Sequence, residues 1–333
     1  LIPEEECIIT LTQGGYIKRL SPKNYRAQNR GGKGVSGITT REEDFVKHLA
    51  CVNTHDNLLF FTSNGRAFQT RAYEIPEASR VARGQAIVNF LELAPKEEVS
   101  ALIAIKENLK NRKAAPGIKA GLNGENFLVM TTKNGIIKKT SFDDFANVRR
   151  SGLIAIKLDK DDKLLWAKAS SGEDEIILAT AKGQSIRFKE KDVRPMGRSA
   201  SGVRGIRLKK GDELVGMNII KSVKIKSADE KTGKPELLIV TENGYGKKTD
   251  LKQFKIQKRG GSGIKAGQVT TKTGPIVVAE VLSGEKEDLI AISQHGQVIR
   301  TPLDSISLLG RATQGVRVMK MEIGDKIASA TCL

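Results

Sequence analysis

A glycine-rich basic loop near the start of the chain is its most informative chemical pattern. The seven residues of this loop are Gln28, Asn29, Arg30, Gly31, Gly32, Lys33 and Gly34. Glycines let the backbone approach a phosphate closely and present N–H groups in a concave arrangement, while Arg30 and Lys33 supply positive charge. The pattern indicates a phosphate-contact loop. Local composition leaves a second interpretation open, a solvated glycine-rich turn without a ligand.

Lysine and arginine also recur at matching places along the rest of the chain. The recurring set is Lys18, Arg19, Arg80, Lys138, Lys139, Arg149, Arg150, Arg187, Arg198, Arg204, Lys247, Lys248, Arg259, Arg300 and Arg311. Repeated units place equivalent residues on one face or rim, so we expect these side chains to form a basic belt that contacts phosphates. Aromatic residues make up only 5% of the chain, which argues against a single-strand site built on base stacking. The belt therefore favours duplex DNA.

The sequence patterns for catalysis and metal binding are weak. Gly32, Gly34 and Gly37 formally match the dinucleotide fingerprint, but a similar glycine cluster recurs at 261–266, so repeat geometry explains the match better. The sequence contains no P-loop and no nucleophile–base set. Its three cysteines lack CxxC spacing, and its three histidines are not clustered with carboxylates. We expect no catalytic residue, no metal and no cofactor.

Six copies of one hairpin unit must position these residues. Each copy has an apolar run, a turn glycine and a second strand, as in IITLTQGGYIKRL. The turn glycines are Gly15, Gly65, Gly135, Gly183, Gly244 and Gly296. Such turns between β-branched runs are typical of tight hairpins, because the turn needs a positive φ. A second glycine follows 17 or 19 residues later in each copy, and these are Gly34, Gly84, Gly152, Gly202, Gly263 and Gly315.

A repeat near 50 residues with several short strands predicts an all-β fold of six blades. We expect one domain, 1–333, with repeats at about 6–57, 58–108, 126–174, 175–236, 237–288 and 289–333. The favoured architecture is a propeller-like disc of four-stranded antiparallel blades, because closure protects edge strands. An open spiral of six blades is the alternative.

The charge balance, the apolar pattern and the first residue of the chain predict its partner, its location and its extent. Lys and Arg number 56 against 38 Asp and Glu, a formal net charge of +18, which favours a polyanionic partner. The sequence has neither a membrane-spanning apolar run nor a basic amphipathic helix, so we expect a soluble protein that does not bind membranes. The odd number of cysteines suits the cytoplasm. Because the chain begins with Leu1 rather than Met, we expect a fragment of a longer protein.

These residues resemble the C-terminal domain of the DNA gyrase A subunit. The loop 28–34 is similar to the family's gyrase box, Q-R-R-G-G-K-G, with Asn29 where the family usually has arginine. The stretches 132–140 and 197–206 are also similar to the family. The resemblance runs along essentially the whole chain.

The resemblance implies a six-bladed β-pinwheel whose blades exchange strands with their neighbours. It also implies that duplex DNA is wrapped with positive handedness around the rim, for which the box is required, and that wrapping directs negative supercoiling by the bacterial, ATP-dependent parent enzyme. The implied partners are duplex DNA and, in a heterotetramer, the rest of gyrase A and the gyrase B subunit; the isolated domain would be monomeric.

The catalytic parts of a type II topoisomerase would lie in other domains. None of the tyrosines Tyr16, Tyr25, Tyr73 and Tyr245 sits in a motif that matches the family's cleaving tyrosine. We therefore expect a non-catalytic domain. The alternatives are the corresponding domain of topoisomerase IV, whose first-blade box is degenerate or missing, and a propeller scaffold that binds an acidic protein.

Overall fold

The computed structural model describes residues 2–21, 46–79, 82–105, 126–149, 151–222, 234–282, 288–295 and 298–332. Within these ranges the regular structure consists of 23 β-strands and six 3₁₀ turns. The turns are Ala72–Glu74, Ile87–Asn89, Phe142–Phe145, Glu190–Asp192, Leu251–Gln253 and Leu303–Ser305. Helical segments this short cannot cross a bilayer, and the described ranges contain no longer helix that could.

The strands form six antiparallel sheets. The first consists, in spatial order, of β3 (Val46–Asn53), β1 (Glu6–Thr12), β2 (Tyr16–Leu20) and β6 (Gln85–Ala86). The second consists of β10 (Leu153–Ile154), β5 (Arg66–Arg71), β4 (Asn57–Thr62) and β7 (Val99–Ile105). The third consists of β11 (Leu164–Ser170), β8 (Phe127–Thr132), β9 (Ile136–Ser141) and β14 (Val203–Arg204).

The remaining three sheets repeat this order. The fourth consists of β15 (Leu214–Ile220), β12 (Glu175–Thr180), β13 (Gln184–Lys189) and β18 (Ile264–Lys265). The fifth consists of β19 (Ile276–Leu282), β16 (Glu236–Thr241), β17 (Tyr245–Asp250) and β22 (Val316–Arg317). The sixth, within the described residues, consists of β21 (Val298–Pro302), β20 (Asp288–Ser293) and β23 (Ile327–Cys332). The prediction of an all-β chain with six blades is confirmed.

The chain divides into two compact units. The first comprises Leu1–Leu128, Thr140–Ala169 and Gly197–Ala200, and the second comprises Val129–Lys139, Ser170–Met196 and Ser201–Leu333. Hydrophobic side chains of the first unit cluster around Ile9 and Phe60. In the second unit, one cluster includes Leu238 and Ala291.

The predicted hairpins are present wherever the structure describes their turns. Gly15, Gly65, Gly135, Gly183 and Gly244 have φ between +75° and +85°, the left-handed region that the turn requires and that glycine adopts without strain. Gly296 lies outside the described residues. In the first hairpin Ile8 pairs with Leu20 and Leu11 pairs with Ile17.

Each short strand that follows a second glycine pairs with the hairpin of the preceding repeat. In the first sheet β6 pairs with β2, so Ala86 lies opposite Tyr16. The same exchange joins β10 to β5, β14 to β9, β18 to β13 and β22 to β17. The second glycine allows a close approach: a Cβ on Gly84, where φ is +90°, would lie 2.6 Å from the Ile17 carbonyl oxygen. The strand exchange implied by the resemblance is therefore present in five of the sheets.

The central hairpin strands are buried on both faces. All six residues of β4 are buried, and the consecutive residues Ile17 and Lys18 of β2 are both buried. Because consecutive strand residues point to opposite faces, burial of both residues means that other elements cover both faces of the sheet. This covering determines whether the basic side chains in these strands are exposed to solvent.

Candidate nucleic-acid interface

Part of the predicted site lies outside the described residues. This part comprises the whole loop Gln28, Asn29, Arg30, Gly31, Gly32, Lys33 and Gly34, together with Arg80 and Arg150. The other thirteen predicted basic residues are described, and their surroundings separate them into distinct groups.

Four of the predicted lysines lie in the interior instead of on an exposed rim. Their exposed fractions are 2% for Lys18, 0% for Lys138, 4% for Lys139 and 0% for Lys247. The cause is that both faces of their strands are covered, since consecutive residues are buried in β2, β9 and β17. Lys139 forms an ion pair with the buried Glu190, with Nζ 3.6 Å from Oε1. In this structure none of these ammonium groups is available to a phosphate.

Four further hairpin residues are bound to carboxylates. The Arg187 guanidinium lies 2.6 Å from Glu175 and also donates to the Leu251 and Phe254 carbonyls. Corresponding ion pairs are Arg19 with Glu77 at 3.6 Å, Lys248 with Glu236 at 3.4 Å, and the exposed Arg300 with Asp288. Carboxylates within the protein partly neutralise the positive charge of these residues, so they are less suited to bind phosphates.

The short edge strands carry the exposed cations. The second residues of β14, β18 and β22 are Arg204, Lys265 and Arg317, and all three are exposed. Each stands two residues after a second glycine, at the outer end of its sheet. Arg204 is one of the predicted site residues and Lys265 is not, although both have the same offset from the second glycine.

Two predicted arginines are held against these edge strands. Arg259 donates through Nη1 to the Arg204 carbonyl and through Nε to the Asp192 carbonyl at 3.0 Å. Arg311 donates through Nη1 to the Lys265 carbonyl at 3.0 Å. These hydrogen bonds to backbone carbonyls place Arg259 beside Arg204 and Arg311 beside Lys265.

We call Arg204, Arg259, Lys265, Arg311 and Arg317 the basic edge. All five belong to the second unit. Within the described part of the chain, none of the five forms an ion pair with a carboxylate. Arg317 is steadied by Tyr245, because its Nη2 donates to the hydroxyl at 3.2 Å, and this hydrogen bond lowers the tyrosine pKa. Adjacent cations without counter-charges are suited to a polyanion.

Besides Arg19, two predicted arginines of the first unit are described. Arg149 is exposed in the turn before Gly152, and Arg198 is half-buried. An arginine that the sequence analysis missed, Arg83, is exposed and stacks 3.6 Å from the ring centroid of Tyr16. This stacking places a guanidinium at the edge strand that follows Gly84.

A described loop has nearly the composition of the glycine-rich loop at 28–34. Residues 257–263 read Q-K-R-G-G-S-G, which matches Q-N-R-G-G-K-G at five of seven places. Gly260 has a φ of +82° and donates its N–H to the Gly205 carbonyl at 2.8 Å. The exposed Lys258 and the basic edge residue Arg259 lie in this loop. Backbone and cations together give it the features of a phosphate-contact loop.

Burial favours the neutral form of two groups that could otherwise take part in catalysis, His48 and Cys7. Burial lowers the pKa of His48 to about 4, and burial raises the pKa of the Cys7 thiol to about 11. Near pH 7 neither an imidazolium nor a thiolate is present at these positions. Across the described ranges, no three His, Cys, Asp or Glu side chains gather as metal ligands.

A family model described as the DNA gyrase C-terminal domain, beta-propeller, matches the chain six times. The matched residues are 8–53, 56–106, 126–171, 174–221, 235–277 and 287–333. Among curated relatives, the A subunit of DNA gyrase from Staphylococcus epidermidis (strain ATCC 12228 / FDA PCI 1200) is 42% identical over 329 residues, which are 99% of this chain and 34% of the relative. That of Staphylococcus aureus (strain NCTC 8325 / PS 47) is 42% identical over 321 residues, which are 96% of this chain and 34% of the relative. The chain spans about a third of the length of these relatives.

Two solved structures are similar along almost the whole chain. The C-terminal domain of DNA topoisomerase IV has a TM-score of 0.78 at 24% identity, covering 100% of this chain and 94% of that one. The DNA gyrase A C-terminal domain has a TM-score of 0.70 at 29% identity, covering 98% of this chain and 99% of that one. The first of these likenesses shows the fold alone.

Proposed function

Because the chain belongs to the DNA gyrase C-terminal domain family, we propose that it is the DNA-wrapping domain of a type II topoisomerase and that the basic edge contacts duplex DNA. The observation that carries the proposal is the basic edge itself. Three of its cations recur at equivalent strand positions, and two of these three have an arginine beside them. None of the five has a carboxylate partner in the described part of the chain.

The proposed contact is with the phosphate backbone. Cations that neutralise phosphates release condensed counterions, so the binding free energy depends steeply on salt and little on base sequence. Edge strands suit this task, because their outward side chains reach phosphates without any deformation of the sheet. The low aromatic content gives no reason to expect base stacking.

Wrapping requires contacts along an extended path. Bending duplex DNA by 40–90° costs on the order of 1–6 kcal/mol, and each phosphate contact offsets part of that cost. We propose that the loop 28–34 and the loop 257–263 contribute contacts beyond the basic edge. In the parent enzyme, positive wrapping would direct ATP-driven negative supercoiling, together with the rest of gyrase A and the gyrase B subunit.

A binding titration against salt tests the proposal. We expect the triple variant Arg204→Ala/Lys265→Ala/Arg317→Ala to bind linear duplex DNA more weakly and with a flatter salt dependence. The slope of log K against log salt should fall by about 2.7, at about 0.9 for each phosphate that is no longer neutralised. Fluorescence anisotropy with a labelled duplex at several salt concentrations measures both quantities.

The matched control keeps the charge. Arg204→Lys/Arg317→Lys should retain the wild-type slope, because a lysine also neutralises a phosphate. If the triple alanine variant kept the wild-type slope, the basic edge would not be the DNA contact. If neither variant nor wild type bound duplex DNA below about 0.1 M salt, the proposed function would be wrong, and binding to an acidic protein would become the better hypothesis.

A further inference from the structure

One buried position in the hairpins alternates between lysine and an apolar residue. The position is the third after the turn glycine, and from the first repeat to the sixth it holds Lys18, Phe68, Lys138, Ile186, Lys247 and Ile299. The three lysines, Phe68 and Ile186 are at most 2% exposed. A buried ammonium is costly unless it is hydrogen-bonded. Apolar side chains fill the same place in other repeats, so the lysines call for a specific explanation.

The Lys247 ammonium donates to the loop that precedes Gly315. Its Nζ lies 2.7 Å from the Gly310 carbonyl oxygen, 2.8 Å from the Arg311 carbonyl oxygen and 3.2 Å from Thr313 Oγ1. An ammonium group has three donors, and here all three have an acceptor. Lysine therefore satisfies three oxygens of this loop at once.

Lys18 contacts the corresponding loop in the first unit. Its Nζ donates to the Ala82 carbonyl at 2.7 Å and to the Ser79 carbonyl at 3.3 Å. The loop before Gly84 and the loop before Gly315 have a backbone hydrogen bond at the same place. In the first the Ala82 N–H donates to the Ser79 carbonyl at 3.2 Å, and in the second Thr313 donates to Gly310 at 3.2 Å. Two buried lysines from separate repeats thus accompany the same loop-closing hydrogen bond.

The loop opposite Ile186 has a different conformation. At the place equivalent to Ala312, the loop 257–263 has Gly260 with a φ of +82°, so its turn across residues 259 and 260 has a different backbone geometry, and the Gly260 N–H donates to the Gly205 carbonyl. No described residue of the loop before Gly315 other than Gly315 itself has a positive φ. An isoleucine side chain cannot donate a hydrogen bond to carbonyls that point into the protein. The loop backbone must therefore direct these carbonyls away from Ile186, and the positive φ that glycine adopts without strain allows this.

The loop held by Lys247 carries a residue of the basic edge. Lys247 holds the Arg311 carbonyl, and the Arg311 guanidinium donates to the Lys265 carbonyl. We propose that Lys247 is a positioning residue for DNA binding: its buried ammonium keeps the turn before Gly315 closed and thereby fixes Arg311 beside Lys265. Lys18 likewise holds the Ser79 and Ala82 carbonyls of the loop before Gly84. The DNA part of this inference rests on the proposed function.

The protonation of Lys247 gives the inference a pH signature. Burial, together with the charge of Arg311, lowers the pKa of Lys247 to about 8. Arg311 is the charged group that faces it from the loop, and Ile239 of the neighbouring strand is apolar. Between pH 7 and pH 9 the ammonium loses its proton and its charge, so the closed turn weakens while the arginines stay charged.

Hydrogen exchange and DNA binding of the 333-residue chain test this inference. In Lys247→Ile we expect the Thr313 amide to exchange about tenfold faster, because its turn is no longer held closed. Duplex affinity should fall about as much as in Arg311→Ala, and the double variant should bind no more weakly than Arg311→Ala alone. The wild-type affinity should decrease from pH 7 to pH 9 more than that of Lys247→Ile.

Two further variants serve as controls. Lys247→Met removes the charge without a branched side chain and should repeat the result if Lys247→Ile does not fold. Ile186→Met changes the same position where the repeat already holds an apolar residue, and Thr313 exchange should be unaffected.

The outcomes separate the two parts of the inference. Unchanged Thr313 exchange in both Lys247 variants would overturn the positioning role, as would additive losses of affinity in the double variant. If Thr313 exchange accelerated but Arg311→Ala bound DNA normally, the role of this loop in DNA binding would be wrong, and the closed turn would remain supported.

Discussion

The hairpin strands and the edge strands both carry lysine or arginine at repeating positions, but the two sets of cations have different surroundings. Lys139 in a hairpin is 4% exposed and lies against Glu190. Arg204 in an edge strand is exposed and has another arginine beside it. Recurrence of positive charge in the sequence therefore does not by itself mean a positive surface.

The difference follows from the neighbours of each strand. In the first five sheets each hairpin strand has partners on both sides, and where both faces are also covered, its cations must find carbonyls or carboxylates inside the protein. An edge strand has a partner on one side only, and its outward side chains stay in water. We expect the hairpin cations to govern stability and the basic edge to govern DNA binding.

The largest effect on stability is expected from removing the partner of Lys139. Glu190→Ala leaves a buried ammonium without its carboxylate and also removes the acceptor for Ser170 Oγ and the Gly172 N–H. The free energy of unfolding should fall by about 3–5 kcal/mol, as measured by urea denaturation. The matched control is Glu173→Ala, whose ion pair with Lys191 is 63–65% exposed and contributes about 1 kcal/mol or less. Equal losses in the two variants would contradict the division between buried and exposed cations.

A second, smaller loss is expected from displacing an edge strand. In Gly315→Ala the new Cβ would lie 2.7 Å from the Gly246 carbonyl oxygen at a φ of +83°. The clash adds to a backbone strain of about 1–3 kcal/mol, and Arg317 should move with β22, so duplex affinity should also fall. Gly324→Ala has a φ of +85° and open space around the Cβ, so it should cost only the strain. If both variants lost the same stability and affinity, close approach at Gly315 would not be what holds the edge strand.

A third prediction concerns the most exposed of the ion-paired hairpin cations. The Arg300 side chain is 65% exposed and pairs with Asp288, so Arg300→Ala should change the unfolding free energy by less than about 1 kcal/mol. The salt slope of DNA binding should stay close to wild type, because the aspartate already neutralises this arginine. A flattening as large as that of the triple edge variant would place the hairpin cations within the DNA contact.

The loop at 28–34 offers a test with no expected effect on stability. Because glycine-rich loops position a phosphate rather than pack a core, Arg30→Ala/Lys33→Ala should unfold like the wild type and keep much of its duplex affinity. It should lose the shift in linking number when relaxed plasmid is closed by ligase in its presence. A shift equal to that of the wild type would refute a role for this loop in chiral wrapping.

Much of the fold could be predicted because its signals are local. A turn glycine between β-branched runs indicates a hairpin within about a dozen residues, and the hairpins at Gly15 and Gly135 follow that signal. Strand exchange has no local signal, because the two residues of β22 look like any short extended segment. The strand exchange was predicted only from the resemblance to a family.

The site was less predictable from the sequence, since burial depends on distant contacts. Lys247 and Lys265 both follow glycines by a few residues, but one is 0% exposed and the other is exposed. The loop that buries Lys247 lies 63 residues further along the chain. No sequence window of the length of a strand could contain both partners.

The sequence by itself determined the number of repeats, the hairpins, the excess positive charge and the family, because these depend on residue type and spacing alone. The tertiary structure decided which cations face water, which carbonyl each buried lysine holds and which strand completes each sheet. The physical reason is that desolvation acts through whatever packs over a residue. In this protein the covering element repeatedly comes from the next repeat, as when Lys18 is buried by the loop that includes Ser79 and Ala82.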